Sequence, residues 1–244
     1  MPYQLYALKV DFTLENDELD GLYASLNPTE QKNVSRMKTR EMYVTKLLSA
    51  LLFKYSVANY AECDIDELVQ YENEYGKPCL SSPINVYANR SHSHEWIICI
   101  VDSYPVGIDI EHKAPIDLSL AEAFFNSCEK RYIYNAAEMM KQYDRFYEIW
   151  TIKESYLKYI GTGLYRNLDS FFIHREGIGY ELTDYETFPT EKINVNHGTF
   201  PLNTNYALSR VVRHHSKNEV RPYHVNHISM DTIMNHFHKT KEHV

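Results

Sequence analysis

Apolar residues recur along the chain with two periods, one typical of helices and one typical of strands. From Arg40 to Tyr60 they return every three or four residues, which predicts a long core helix. Residues 3–12 alternate weakly and are predicted to form a strand before it. Asn85–Ala88, Trp96–Val101 and Val106–Ile110 are rich in residues that favour strands and are predicted as later strands.

The second half of the chain repeats this order. Phe125–Lys130 resembles Leu26–Gln31, about 99 positions earlier, where Asn27 and Pro28 have the pattern of a helix start. Helical spacing returns over Arg145–Ile160. The segments after it that favour strands are Ser170–His174, Gly179–Leu182, Lys192–Val195 and Tyr206–Val211.

This repetition predicts an α+β fold, a pseudo-dimer of two similar α+β halves, each a long helix packed on a small, mainly antiparallel sheet. A turn at 102–105 is the natural seam, so we expect an N-terminal half over residues 1–104 and a C-terminal half over residues 105–244. The end of the second half is polar and is predicted to be a flexible or loosely docked tail. Its histidines are spaced too irregularly to predict a metal site: His214, His215, His224, His227, His236, His238 and His243.

Composition narrows the classes of function. Apolar residues make up 44% of the chain and charged residues 24%, and no run of about 20 apolar residues predicts a membrane span. The first residues do not resemble a secretory signal, and the four cysteines lack zinc spacing, so we expect reduced thiols and a cytoplasmic protein. The net charge of −8 argues against general nucleic-acid binding, although a local basic pocket would still accept an anionic ligand.

Two acids stand at the end of the strand predicted after the seam. Asp109 and Glu111 are two positions apart, so their side chains leave the same face, while Val106, Ile108 and Ile110 leave the other. Two solvated acids at a strand end are the ordinary interpretation. The apolar opposite face favours a strand that lies on the core and presents both acids at one site, where hard oxygen ligands suit Mg²⁺.

Glu154 and Lys158 lie four positions apart on the second long helix and are therefore neighbours on its surface. Alone, they would be interpreted as a stabilising helical ion pair. Lys153 belongs to a different face and is predicted to serve packing or solvation. Together with the two strand acids, Glu154 would complete a set of three carboxylates for Mg²⁺ beside a pyrophosphate, and Lys158 would neutralise charge on a phosphate oxygen.

Gly107–Glu111 and Trp150–Lys158, about 40 residues apart, resemble the signature of the 4′-phosphopantetheinyl transferases, and the chain is most similar to the surfactin-synthetase-activating type. Tyr75–Pro78, Ser91–Ser93 and Gly161–Leu164 follow the order and spacing of the same family. The resemblance covers roughly residues 26 to 175. It implies a monomer with coenzyme A as substrate in the cleft between the halves, Mg²⁺ as the metal and Mn²⁺ as a possible substitute.

The family also implies roles for single residues. Asp109, Glu111 and Glu154 would bind the metal, Glu154 would also help to deprotonate the attacking serine, and Lys158 would contact the pyrophosphate. The loop of Tyr75, Gly76, Lys77 and Pro78 would surround the adenine, and Ser91 and His92 would contact the phosphates of coenzyme A.

One part of the chain departs from the family pattern. The positions that hold the 3′-phosphate of coenzyme A in surfactin-type enzymes correspond here to Glu30 and Asn33, which are not basic. Lys46 is the best placed compensating residue, ahead of Lys32, Arg36 and Arg40.

The resemblance implies an apo carrier protein domain as the second substrate, whether a peptidyl, aryl or acyl carrier, in a setting such as nonribosomal peptide or antibiotic biosynthesis. Carrier domains are acidic, as is this chain, so an apolar patch between Ala114 and Phe125 is expected to recognise them. Two alternatives stay open. One is a metal-dependent phosphotransferase or hydrolase for another nucleotide diphosphate, and the other is a carrier-binding module without catalysis.

Overall fold

The protein is described from a computed structural model, which covers residues 3–81, 86–177, 179–184, 193–213 and 224–239. In these ranges no helix has both the length and the apolar character that a membrane span requires. The predicted strand residues Asn85 and Lys192 and the histidines at 214, 215 and 243 lie outside the described residues.

The first half holds a long helix and a set of short strands. Its helices and strands, among the described residues and in chain order, are β1 (Gln4–Lys9), α1 (Asn16–Tyr23), α2 (Pro28–Ser35), α3 (Arg40–Ala61), β2 (Val69–Glu72), β3 (Pro78–Ser81), β4 (Tyr87–Ser93) and β5 (Trp96–Asp102).

The second half has the same order of elements, followed by a C-terminal strand and helix. In the described residues these are β6 (Val106–His112), α4 (Ser119–Phe124), α5 (Ser127–Tyr134), α6 (Met139–Ile160), β7 (Phe171–Glu176), β8 (Gly179–Asp184), β9 (Ile193–Thr199), β10 (Tyr206–Arg213), β11 (Val225–Ile228) and α7 (Met230–Lys239).

The described strands form two main sheets. One has the order β11-β1-β5-β4, in which only the β1–β11 pair is parallel. The other has the order β6-β10-β9-β8-β7 and is antiparallel throughout. A separate two-stranded ribbon pairs β2 with β3. The predicted α+β class is therefore confirmed.

Strand β5 shows how the sheets are packed. Ile97, Cys99 and Val101 face helix α3, whereas Ile98 and Ile100 face the second sheet. All seven residues of the strand are buried, which explains the apolar run from Trp96 to Val101, since a strand covered on both faces has no polar side. Val106, Ile108 and Ile110 of β6 enter the same layer between the sheets, so the two halves share a core there.

Matching helices of the two halves begin 99 positions apart. Helices α3 and α6 are both 22 residues long, and α2 and α5 are both eight residues long. Asn27 and Asn126 start α2 and α5 with the same capping box, completed by Glu30 and Glu129. Each glutamate also bonds a lysine of the long helix, at 2.9 Å in both halves. The pseudo-dimer and its boundary at residue 105 remain an interpretation of this repeated order.

The prediction of a loosely docked tail is wrong for residues 225–239. Strand β11 adds to β1, and Ile233 and Phe237 of α7 are buried in the core of the first half. Helix α6 also begins at Met139, six residues before its predicted start, since its first turn carries exposed methionines and no apolar period. Helices α1 and α4 were not predicted.

Candidate active site

Strand β6 and helix α6 lie in direct contact because one strand residue has no side chain. A Cβ atom at Gly107 would be 2.0 Å from the Ser155 carbonyl oxygen and 2.5 Å from the Tyr159 nitrogen. Only glycine allows the backbones to approach so closely. This contact brings the strand face that carries Asp109 and Glu111 next to the helix face that carries Glu154 and Lys158, as the sequence predicts.

A hydrogen-bonded group joins three elements at this point. Lys158 Nζ donates to Asp109 Oδ1 at 2.6 Å and to Ser91 Oγ at 2.9 Å, and Ser91 donates to the same carboxylate oxygen at 2.7 Å. Asp109 is almost fully buried, while Lys158 is partly exposed. The lysine thus stands beside the strand acid and at the edge of the cleft.

Alternate residues of β4 bond to β6 across the seam. Asn89 Oδ1 accepts from the Ile108 nitrogen at 3.0 Å, and Ser93 donates to Glu111 Oε2 at 2.8 Å. With Ser91 between them, these polar side chains share one face of the strand, as period-two spacing requires. These hydrogen bonds fix β6, the strand that carries Asp109 and Glu111, against the first half.

The carboxylates are held in a site that disfavours their charge. Burial, and next the charge of Asp109, raise the pKa of Glu111 to about 7. Burial followed by the charge of Asp109 also raises the pKa of Glu154. Asp109 Oδ2 and Glu154 Oε1 are buried and accept no hydrogen bond. Carboxylates in this condition are stabilised by an added cation or proton.

This donor set suits a hard divalent cation, although the carboxylates do not yet surround one point. No group of three or more His, Cys, Asp or Glu side chains is arranged to hold a metal among the described residues. The chemistry of the site nevertheless fits Mg²⁺, since the unpartnered oxygens of Asp109 and Glu154 are the ligands this ion prefers.

A large cavity of about 1300 Å³ opens over these groups, between the halves. Its wall includes Lys46, Arg90 and His92 from the first half and the three acids, Trp150 and Lys158 from the second. Burial, and then the charges of Lys158, Lys46 and Arg90, lower the pKa of His92. Lys46, Arg90 and Lys158 place positive charge on this wall beside the acids, which favours an anionic ligand such as a phosphate.

A small cavity of about 340 Å³ continues from the same groups, because Lys46, Arg90 and Lys158 line both. Tyr75–Pro78 lies on its wall, as do Glu30 and Asn33. Glu30 has a structural role, since it caps α2 and forms an ion pair with Lys54. The two nonbasic residues of the predicted 3′-phosphate region therefore line a cavity whose basic residues are Lys46, Lys77, Arg90 and Lys158.

Sequence reasoning missed Arg90 and Ser93. Arg90 lines both cavities and donates to the Ser49 carbonyl at 2.9 Å, and Ser93 orients Glu111. The sequence carries no period-two signal here, because Asn89 to Ser93 are all polar and no apolar residue alternates with them. The predicted strand ends at Ala88, whereas β4 continues to Ser93 and includes Ser91 and His92.

Lys153 has the packing role that its helix face predicted. It is fully buried and donates to Glu129 Oε1 at 2.9 Å and to the carbonyls of Leu168 and Phe171 at 2.6 and 2.7 Å. It therefore ties α6 to α5 and to the start of β7, on the side of the helix away from the acids.

Comparisons of the sequence with family models and with known proteins point to one family. The model of the 4′-phosphopantetheinyl transferase superfamily matches residues 105–211. The 4′-phosphopantetheinyl transferase Sfp of Bacillus subtilis (strain 168) is 32% identical over 212 residues, which cover 81% of this chain and 94% of the relative. The chain belongs to the 4′-phosphopantetheinyl transferase superfamily.

Further relatives place this phosphopantetheinyl transferase in the same group. The 4′-phosphopantetheinyl transferase gsp of Aneurinibacillus migulanus is 32% identical over 172 residues, or 70% of this chain and 71% of the relative. The solved holo-[acyl-carrier-protein] synthase of Thermotoga maritima overlaps 45% of this chain and 62% of its own, with 20% identity and a TM-score of 0.39. That overlap is too limited to bear on the site.

Proposed function

We propose that this phosphopantetheinyl transferase moves the 4′-phosphopantetheine group of coenzyme A to a serine of an apo carrier protein. The observation that carries the proposal is the large cavity, in which three carboxylates and a lysine meet a basic wall from the other half. Transfer from a pyrophosphate ester needs both features. Its phosphates require positive charge, and the serine hydroxyl that attacks it requires a base.

The reaction follows from the chemistry of coenzyme A. The serine oxygen attacks the phosphorus that carries pantetheine, and the bond from that phosphorus to the bridging oxygen breaks. Glu154 accepts the serine proton, for which its raised pKa and unpartnered oxygen suit it. Adenosine 3′,5′-bisphosphate leaves with the bridging oxygen, and the serine becomes a phosphodiester.

Mg²⁺ is the metal that the three acids would hold. When bound, it would neutralise the pyrophosphate oxygens. Asp109, Glu111 and Glu154 supply the carboxylate oxygens, and Ser93 keeps Glu111 oriented toward the cavity. Two of the acids, Glu111 and Glu154, have raised pKa values, so binding of a cation or a proton beside them is favoured.

Lys158 and the basic wall act on the phosphates. The Lys158 ammonium is within hydrogen-bond distance of both Asp109 and Ser91 and is partly exposed to the cavity, so it can stabilise the leaving oxygen. Lys46 and His92 would hold phosphate groups of the substrate. The small cavity would receive the adenine against Tyr75–Pro78.

The carrier protein would dock beside the mouth of the large cavity. Leu120 and Phe124 of α4 are exposed, and the Phe124 ring lies 6.0 Å from the ring of Trp150, which lines the cavity. The carrier domain and this chain are both acidic, so contact through apolar residues avoids repulsion between their surfaces. Both walls of the cavity come from one chain, which supports action as a monomer.

A panel of apo peptidyl, aryl and acyl carrier domains tests the proposal. Each is incubated with coenzyme A and Mg²⁺, and its intact mass is measured. A gain equal to one phosphopantetheine group, absent when the acceptor serine is replaced by alanine, is the expected result. Hydrolysis of a nucleotide diphosphate without modification of any carrier would instead favour the phosphotransferase or hydrolase alternative.

A further inference from the structure

A loop of the first half is bonded to the last turn of helix α6. Asn73 Nδ2 donates to the Gly161 carbonyl at 2.9 Å, and Asn73 Oδ1 accepts from the backbone nitrogens of Tyr75 and Lys77 at 3.0 and 2.8 Å. One side chain therefore both shapes the loop and fixes it to the other half.

Lys77 makes the second bond of this connection. Its ammonium donates to the carbonyls of Lys158 and Tyr159, the latter at 3.3 Å. The last carbonyls of a helix have no partner within it and carry partial negative charge, so a lysine there caps the helix. Here the cap comes from a different half of the molecule, more than 80 positions earlier in the chain.

Gly161 gives the connection its close fit. It ends α6 in a left-handed conformation with φ of 82°, and a Cβ atom there would lie 3.1 Å from both Asn73 Nδ2 and the Lys77 side chain. A side chain at this position would be strained by the backbone and would also press on the two bonded residues.

The connection joins two parts of the proposed substrate site. Tyr75–Pro78 lines the small cavity, and Lys158, whose own carbonyl Lys77 caps, lines both cavities. We propose that Asn73 and Lys77 are positioning residues that couple occupation of the small cavity to the placement of Lys158. This inference rests on the proposed function, because it assumes that a nucleotide occupies the small cavity while Lys158 acts on its phosphates.

The same bonds give the Lys77 side chain a role other than direct contact with the nucleotide. Burial lowers the pKa of its ammonium, and two carbonyls already accept its hydrogens. Its side chain therefore holds the helix rather than a phosphate, and the loop meets the nucleotide through Tyr75, Gly76 and Pro78. A direct phosphate ligand and a positioning residue predict different kinetics.

The test compares variants that remove single parts of the connection. Lys77→Met keeps the aliphatic stem and removes the donor. Asn73→Asp keeps the acceptor for Tyr75 and Lys77 but removes the donor to Gly161. Lys77→Arg restores a donor that can serve two carbonyls and is the matched control. Single-turnover transfer to a carrier at saturating coenzyme A and calorimetric binding of coenzyme A are measured for each.

Lys77→Met and Asn73→Asp should lower the single-turnover rate by about tenfold while the dissociation constant for coenzyme A changes less than about threefold. Lys77→Arg should retain most of the rate. In a Lys158→Met background, Lys77→Met should cause little further loss, because both changes act through the same group. Additive losses would assign Lys77 a general structural role and overturn the proposal.

Hydrogen exchange gives a readout that does not depend on activity. Amides of residues 158–163 should exchange faster in Lys77→Met than in the wild type and in Lys77→Arg. Weaker coenzyme A binding with an unchanged saturated rate in Lys77→Met would make Lys77 a direct ligand and contradict the coupling. Wild-type exchange and wild-type kinetics in both Lys77→Met and Asn73→Asp would also contradict it. Wild-type protein that modifies no carrier would refute the proposed function, while the exchange result still judges the cap.

Discussion

Lys158 Nζ lies 2.6 Å from Asp109 Oδ1, which joins helix α6 to the strand of acids at the seam between the halves. The lysine is partly exposed, whereas the aspartate is nearly buried and keeps its second oxygen without a hydrogen bond. A cation already stabilises one side of the carboxylate, and the other side is available to a metal ion. The pair thus places the lysine proposed to contact phosphate beside the predicted metal ligand.

Asp109→Asn should weaken the response to Mg²⁺. The amide keeps the shape of the side chain but removes the charge that would bind the ion, so the Mg²⁺ concentration for half-maximal transfer should rise by at least about tenfold and the maximal rate should fall. A Mg²⁺ titration of carrier modification measures both. Asp144→Asn, at an exposed acid that pairs with Lys113, is the control. An unchanged titration in Asp109→Asn would remove Asp109 from the metal site.

Lys46→Ala should affect coenzyme A more than dephospho-coenzyme A. Lys46 lines both cavities, and Glu30 and Asn33 offer no positive charge on the wall of the small cavity. Loss of a charged hydrogen bond to the 3′-phosphate should raise the KM for coenzyme A by about tenfold and leave that for dephospho-coenzyme A nearly unchanged. Lys38→Ala, at an exposed lysine outside both cavities, should change neither value. Equal effects on both substrates would place the 3′-phosphate elsewhere.

Lys153→Met should destabilise the fold without touching the cavity. The change leaves Glu129 buried without its cation, and removing one partner of such a pair costs about 3–5 kcal/mol. Denaturant unfolding measures the loss, and Glu129→Gln combined with Lys153→Met should recover part of it. Lys113→Met, which breaks a more exposed pair, should cost less than about 1 kcal/mol. A similar small loss for Lys153→Met would contradict a structural role for the buried pair.

His197 should make stability fall in mild acid. Burial, with a smaller effect of Lys113 and Arg175, lowers its pKa to about 4, and its Nδ1 lies 2.9 Å from Ser209 Oγ. The unfolded chain therefore binds a proton at a higher pH than the native protein does. Stability from this group is present above the unfolded value of about 6.5 and is lost as the pH falls toward 4, by about 2 kcal/mol between pH 7 and pH 5.

His197→Gln checks this prediction by denaturant unfolding at both pH values. The variant should lose that part of the pH dependence, whereas His224→Gln, at an exposed histidine, should keep it. The same pH dependence in the wild type and in His197→Gln would show that the imidazole does not contribute.

The sequence predicts the elements whose signals are local. Helix α3 follows from its apolar spacing, and the acids of β6 follow from alternation with Ile108 and Ile110. Strand β11 has no comparable signal, because it is short and its partner β1 lies more than 200 positions earlier. Its sequence alone therefore looks like part of a polar tail.

The same distinction holds at the site. The spacing of Asp109, Glu111, Glu154 and Lys158 is local to one strand and one helix, so their convergence needs only that the two elements touch. The bonds from Asn73 and Lys77 to the end of α6 join segments more than 80 positions apart and leave no local pattern. The role of Lys77 in the helix cap consequently emerges only from the folded structure.

The most direct measurement is the intact mass of an apo carrier protein incubated with coenzyme A, Mg²⁺ and either wild-type enzyme or Glu154→Gln. Glu154→Gln keeps the size of the partly buried side chain but removes its basicity, so it should melt like the wild type and lose turnover. The account predicts one phosphopantetheine group on the carrier serine with wild-type enzyme and none with the variant. An unmodified carrier with the wild type, or full modification by a natively folded Glu154→Gln enzyme, would contradict it.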